Sequence, residues 1–99
     1  MKPPARDEVL ELLRAHKQIL AERFGVTSIS LYGSVARDQA TEDSDIDILV
    51  RFHGPATSKA YFGLQFYIED LLHSSVDLVT DKALRPELRP YVEREAINV

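Results

Sequence analysis

The chain contains no cysteine, which excludes a disulfide framework and any thiolate zinc site and is compatible with a reducing compartment. It also lacks a long apolar run. No segment approaches the roughly 18 apolar residues of a membrane span, and the opening MKPPARDEVLELL has no continuous apolar stretch of the signal-peptide kind. No membrane partner and a cytoplasmic location are therefore expected. Positive charge is scarce as well: 12 Lys and Arg stand against 16 Asp and Glu, a formal net charge of -4. Backbone affinity for nucleic acid comes mainly from clustered cations, so direct nucleic-acid binding is not expected. Repeats and low-complexity tracts are absent too.

What remains is a chain of 99 residues, 44% hydrophobic and 28% charged, the composition of a small globular domain. A single domain spanning 1–99 is expected, because a chain of this size supports little more than one core with one or two helix layers. No length is left for a separate substrate-binding domain. From Asp7 to Phe24, the residues Val9, Leu12, Leu13, Ile19, Leu20 and Phe24 fall close to one helical face. This predicts one amphipathic helix, capped by Asp7 and stopped by Gly25. Val26 to Tyr32 alternates as a strand, Asp38 to Ser44 reads as a loop, and a second strand runs from Asp45 to about Phe52. His53-Gly54-Pro55 ends it.

A second helix is predicted over Ser58 to Leu72, a short third strand over Val76 to Thr80, and a turn followed by a helix starting near Pro90. Helix, strand, strand, helix, strand, helix is the order of an α/β (α+β) fold, a short mixed sheet flanked by helices. The pattern leaves the strand pairing open.

The chemistry concentrates between Gly33 and Val50, GSVARDQATEDSDIDILV. Successive strand side chains point to opposite faces, so Asp45 and Asp47 share one face while Ile46, Ile48 and Val50 share the other. Their Cα atoms would lie roughly 6.6 Å apart, and carboxylates can converge from there on one divalent cation or bridge two at about 3.5–4 Å. An Asp-x-Asp alone is common on solvent-facing sheet surfaces. Gly33-Ser34 at the end of the preceding strand adds meaning, since a glycine lets backbone N–H groups approach a phosphate and the hydroxyl adds a donor. Residues Ser34 to Arg37 can form a short helix aimed at the same anion. Asp77 is the third feature: alternation sets it opposite Val76 and Leu78, on a face it can share with Asp45 and Asp47, although an edge-strand aspartate in water fits equally well.

Other residues read more simply. Arg37 fits either a phosphate contact or a surface ion pair with Asp38 or Asp43. The 3 histidines, His16, His53 and His73, lie in separate elements, and magnesium prefers oxygen ligands. Tyr61, Phe62, Phe66 and Tyr67 crowd one helix, core on one side and free to dock a partner on the other.

The run Gly33-Ser34, then Ala36-Arg37, then Ser44-Asp45-Ile46-Asp47-Ile48-Leu49-Val50 resembles the signature of the nucleotidyltransferase superfamily that includes polymerase β and kanamycin nucleotidyltransferase. With its short length, the chain looks like a minimal nucleotidyltransferase, the MntA type of antitoxin paired with HEPN-domain toxins. The resemblance spans nearly the whole chain, and Asp77 stands where that group carries a third aspartate. It implies two Mg²⁺ ions held by Asp45, Asp47 and Asp77, ATP as substrate, and nucleotide phosphates held by Gly33, Ser34 and Arg37. It also implies a HEPN toxin as the protein partner in a hetero-oligomer. One departure stands out: the group often carries glycine after Arg37, and here Asp38 gives up backbone freedom and adds negative charge near the expected phosphate site.

Three functions compete on this reading. The resemblance points to transfer of AMP from ATP to a toxin hydroxyl, a tyrosine in the first instance, which would silence the toxin. A non-catalytic antitoxin that masks its partner by contact is the second, and a nucleotidyltransferase acting on a small molecule or RNA is the third. The three carboxylates favour the first, since a mask has no use for them. The short acidic chain weighs against the third.

Overall fold

A computed structural model describes residues 2–99. The elements run α1 (Arg6–Ala15), α2 (Lys17–Phe24), β1 (Val26–Tyr32), α3 (Gly33–Ala36), β2 (Ile46–Phe52), α4 (Ser58–Leu72), β3 (Val76–Thr80), a 3-10 turn (Asp81–Ala83), α5 (Arg89–Glu95) and β4 (Ile97–Asn98). The strands form one mixed sheet in the order β3-β2-β1-β4. β1 is antiparallel to β2 and β4, and β2 is parallel to β3. A parallel pair needs a long crossover, and α4 supplies it. The α/β architecture expected from the element order is thus the one observed.

The expected single helix over Asp7 to Phe24 is two helices that meet at His16, where φ is -107° and ψ is 5°. The imidazole Nδ1 lies 2.9 Å from the Leu12 carbonyl, while the His16 amide turns to the Leu13 carbonyl at 3.2 Å. The ring takes over the bond that an unbroken helix gives to the backbone amide, and the chain bends. Asp7 is not the cap: Ala5 holds that position without a side-chain bond, and Asp7 sits in the first turn, where its charge complements the helix dipole. Gly25 closes α2 as anticipated, at φ 75°. The Thr57 hydroxyl opens α4 by accepting the Ala60 amide at 3.1 Å.

One face of the sheet carries the core. Ile29, Leu31, Ile46, Ile48 and Leu78 pack with Leu13 and Leu20 of the first helix pair and with Leu64, Ile68 and Leu72 of α4, all of them buried. The alternate residues of the same strands, Tyr32, Asp47 and Asp77 among them, are half-buried or exposed on the opposite face. Only short elements border that face, which leaves it open as a site. β4 was not foreseen: it pairs Leu31 with Ile97 and Ser30 with Asn98, and so carries the end of α5 back to the end of β1.

Candidate active site

β2 begins at Ile46, one residue later than expected, so Asp45 stands exposed just ahead of the strand and Asp47 within it. The parallel register sets Asp47 directly beside Asp77 of β3, and the antiparallel register sets it beside Tyr32 of β1. Tyr32, Asp47 and Asp77 thus form a row across three strands on the open face. β3 is the sheet edge, and Asp77 is exposed there. The edge-strand reading of Asp77 and the shared-cleft reading therefore hold together. No group of three metal-ligating side chains is gathered as a ready-made cage among the described residues.

Electrostatics single out Asp47. Burial, then the Asp77 charge, then the Asp45 charge push its carboxyl from 3.8 up to about 6, while Arg37 pulls it down and Glu95 adds to the rise. Like charges held together disfavour ionisation of the most enclosed member. Tyr32 follows the same logic: burial first, then Asp47 and Asp77, push its phenol up to about 12. The Tyr61 phenol is raised by burial and Asp77, and its hydroxyl donates to the Leu78 carbonyl of the edge strand. Asp45, Asp47 and Asp77 offer carboxylate oxygens, the donor type that a hard divalent cation such as Mg²⁺ takes.

The turn after β1 is shaped around Asp47. Gly33 has φ +76°, and a Cβ there would lie 2.0 Å from Asp47 Oδ2. Only glycine fits, for both reasons at once. Ser34 follows in the four-residue α3 (Gly33–Ala36), as foreseen within one residue. Gly33 and Asp47 are therefore in direct contact, which joins the Gly-Ser turn to the aspartate pair.

Arg37 makes neither expected ion pair. Its Nη1 donates to Glu95 Oε2 at 2.8 Å, and its Nε donates to Gln39 Oε1 at 3.2 Å. The Gly33 amide donates to the other Glu95 oxygen at 3.1 Å. Sequence reasoning missed Glu95 because nothing near it marks a site; the Leu31–Ile97 pairing is what brings it in. Asp38 is the other revision. It adopts φ 59°, a left-handed backbone that glycine enters without steric cost. It lines a cavity with Lys2, Arg6, Pro3 and Pro4 at the amino-terminal side. The histidines lie elsewhere: His16 is tied to Leu12, His53 is exposed past β2, and His73 closes α4 at φ 50°.

A nucleotidyltransferase domain family model matches residues 13–99. The protein adenylyltransferase MntA of Thermococcus cleftensis is 42% identical over 93 residues, covering 94% of this chain and 94% of that protein. A Methanocaldococcus jannaschii protein assigned as a protein adenylyltransferase is 43% identical over 93 residues, covering 93% of this chain and 95% of its own length. Among solved structures, one assigned as a minimal nucleotidyltransferase superposes with a TM-score of 0.75 at 41% identity, covering 91% of this chain and 95% of that one. A toxin-antitoxin crystal structure with AMP-PNP gives a TM-score of 0.67 at 25% identity, covering 94% of this chain and 70% of the other. In its motif, its fold and its relatives alike, the chain belongs to the nucleotidyltransferase domain family.

Proposed function

We propose that the protein is an antitoxin that transfers AMP from ATP to a hydroxyl of a HEPN-domain toxin, a tyrosine in the first instance, and so neutralises it. The observation that carries this reading is the row of Asp47 and Asp77 in parallel register, with Asp45 ahead of it and Gly33 pressed against Asp47. On this reading the residues assigned to phosphate and to the cations sit at one sheet end. The reading draws further support from the naming of the Thermococcus cleftensis relative as a protein adenylyltransferase and from the ATP analogue in the toxin-antitoxin structure.

On this reading Asp45, Asp47 and Asp77 are the catalytic carboxylates and the ligands of two Mg²⁺ ions, which would neutralise the triphosphate and activate the acceptor oxygen. The Gly33 amide and the Ser34 hydroxyl hold the β- and γ-phosphates, and Arg37 adds positive charge. Asp77 helps take the proton from the acceptor hydroxyl, whose oxygen forms a bond to the α-phosphorus as the bond to pyrophosphate breaks. The exposure of Asp77 at the sheet edge suits an acceptor carried on another protein. The protein would work as a single minimal domain over 1–99, in the cytoplasm and in complex with its toxin.

The test is incubation with the product of the adjacent open reading frame, Mg²⁺ and labelled ATP. Label on that partner, lost in an Asp45→Asn, Asp47→Asn double variant, is expected. Neutralisation by the double variant with no label on the partner would replace catalysis with masking.

A further inference from the structure

Glu95 closes α5 with its side chain 28% exposed, and each of its two oxygens takes a donor that the proposed function assigns to nucleotide phosphate. Oε1 accepts the Gly33 amide at 3.1 Å and Oε2 accepts Arg37 Nη1 at 2.8 Å. A backbone amide has one hydrogen, so a phosphate oxygen and Glu95 Oε1 cannot both hold it at full strength. At φ +76° against Asp47, Gly33 directs this amide to Glu95. Glu95 and a triphosphate are moreover both anions beside the same carboxylates.

Resting on that functional reading, we infer that Glu95 is an internal anion that fills the phosphate seat in the nucleotide-free protein and is displaced when the triphosphate binds. It makes Glu95 a residue that sets nucleotide affinity, not one that takes part in the transfer. The geometry allows the release. α5 is anchored separately by Arg89, which donates to the Asp81 carboxylate at 3.1 Å and to the Asp81 carbonyl at 2.9 Å, and by buried Val92. On its other side Glu95 is followed by the β4 pairing with β1, so only its side chain has to swing away. Arg37, freed from Glu95, remains beside the turn to meet the incoming phosphate.

The test is calorimetric titration of the full chain with Mg²⁺–AMP-PNP in the absence of any acceptor. Glu95→Gln and Glu95→Ala are expected to bind about 3- to 10-fold tighter than the natural chain, the size of effect that loss of a charge-assisted competitor produces. Glu93→Gln removes the same charge without touching Gly33 and is expected to leave affinity unchanged. With acceptor present, KM for ATP falls in the Glu95 variants and kcat does not rise. Weaker or unchanged binding by both Glu95 variants, with the natural chain binding normally, would overturn the inference and leave the proposed function standing. Equal tightening in Glu93→Gln would assign the effect to the general field and overturn it too. Absence of binding in every variant would overturn the functional reading itself, and the phosphate seat with it.

Discussion

Replacing Asp47 with Asn is expected to stabilise the metal-free protein even as it removes a proposed ligand. The Asp47 carboxyl is raised from 3.8 to about 6 in the folded state by burial, Asp77 and Asp45. The fold therefore favours its neutral form and disfavours its anion. The penalty is absent below the ordinary carboxylate value, grows as pH rises through the interval up to about 6, and is complete above it. At roughly 1.36 kcal/mol for each tenfold change in proton affinity, the ceiling is about 3 kcal/mol. Because Asp47 is half-buried and water screens part of the repulsion, about 1–2 kcal/mol is the expected cost at neutral pH.

An isosteric amide removes that repulsion and can donate to the neighbouring carboxylates. For a domain of this size the gain corresponds to a Tm about 5–10 °C higher at pH 7.5 in EDTA. Differential scanning fluorimetry across pH measures it. The advantage should shrink toward pH 4, and Mg²⁺ should raise the Tm of the natural chain but not of the variant. A variant that is no more stable than the natural chain at pH 7.5, or whose advantage is the same at pH 4, would refute the reasoning.

Three further outcomes follow from the same structure. Gly33→Ala sets a Cβ 2.0 Å from Asp47 Oδ2 at φ +76° and should cost about 2–4 kcal/mol in urea unfolding, falling by roughly half in an Asp47→Ala background. Asp38→Gly relieves a left-handed residue at φ 59° and should add about 0.5–1 kcal/mol of stability; nucleotide affinity, read by titration calorimetry, should not change, since Asp38 lies toward Lys2 and Arg6. Asp81 is held below the usual carboxylate range, chiefly by its hydrogen bond with Arg89 and further by Arg51. Its contribution is present above the ordinary carboxylate value and lost as pH falls through the lowered one. Arg89→Ala should thus lower the urea midpoint at pH 7, and the two midpoints should converge in acid.

Strand and helix positions were readable from periodicity because one sheet face is buried: Ile46, Ile48 and Val50 against Asp47 is a pattern that only a half-buried strand produces. Pairing was not readable, since alternation carries no information about neighbours, and the Asp47–Asp77 register depends on how α4 returns the chain. The break at His16 is not legible in the sequence because an imidazole bond to Leu12 decides it locally, against a continuous apolar face. Glu95 was out of reach for a different reason. It is 62 residues from Gly33 and arrives through a two-residue strand too short to show any period. Asp38 stands out in the sequence by its identity, while its left-handed backbone, φ 59°, shows only in the structure.

The central claim is that the carboxylates around Asp47 serve nucleotidyl transfer, and the position of the label in ATP tests it most directly. Parallel reactions with Mg²⁺, the partner protein and ATP labelled at either the α- or the γ-phosphate should put label on the partner from the α-position only, and none with Asp47→Asn. Label arriving from the γ-position, or α-label that survives Asp47→Asn undiminished, would contradict the account.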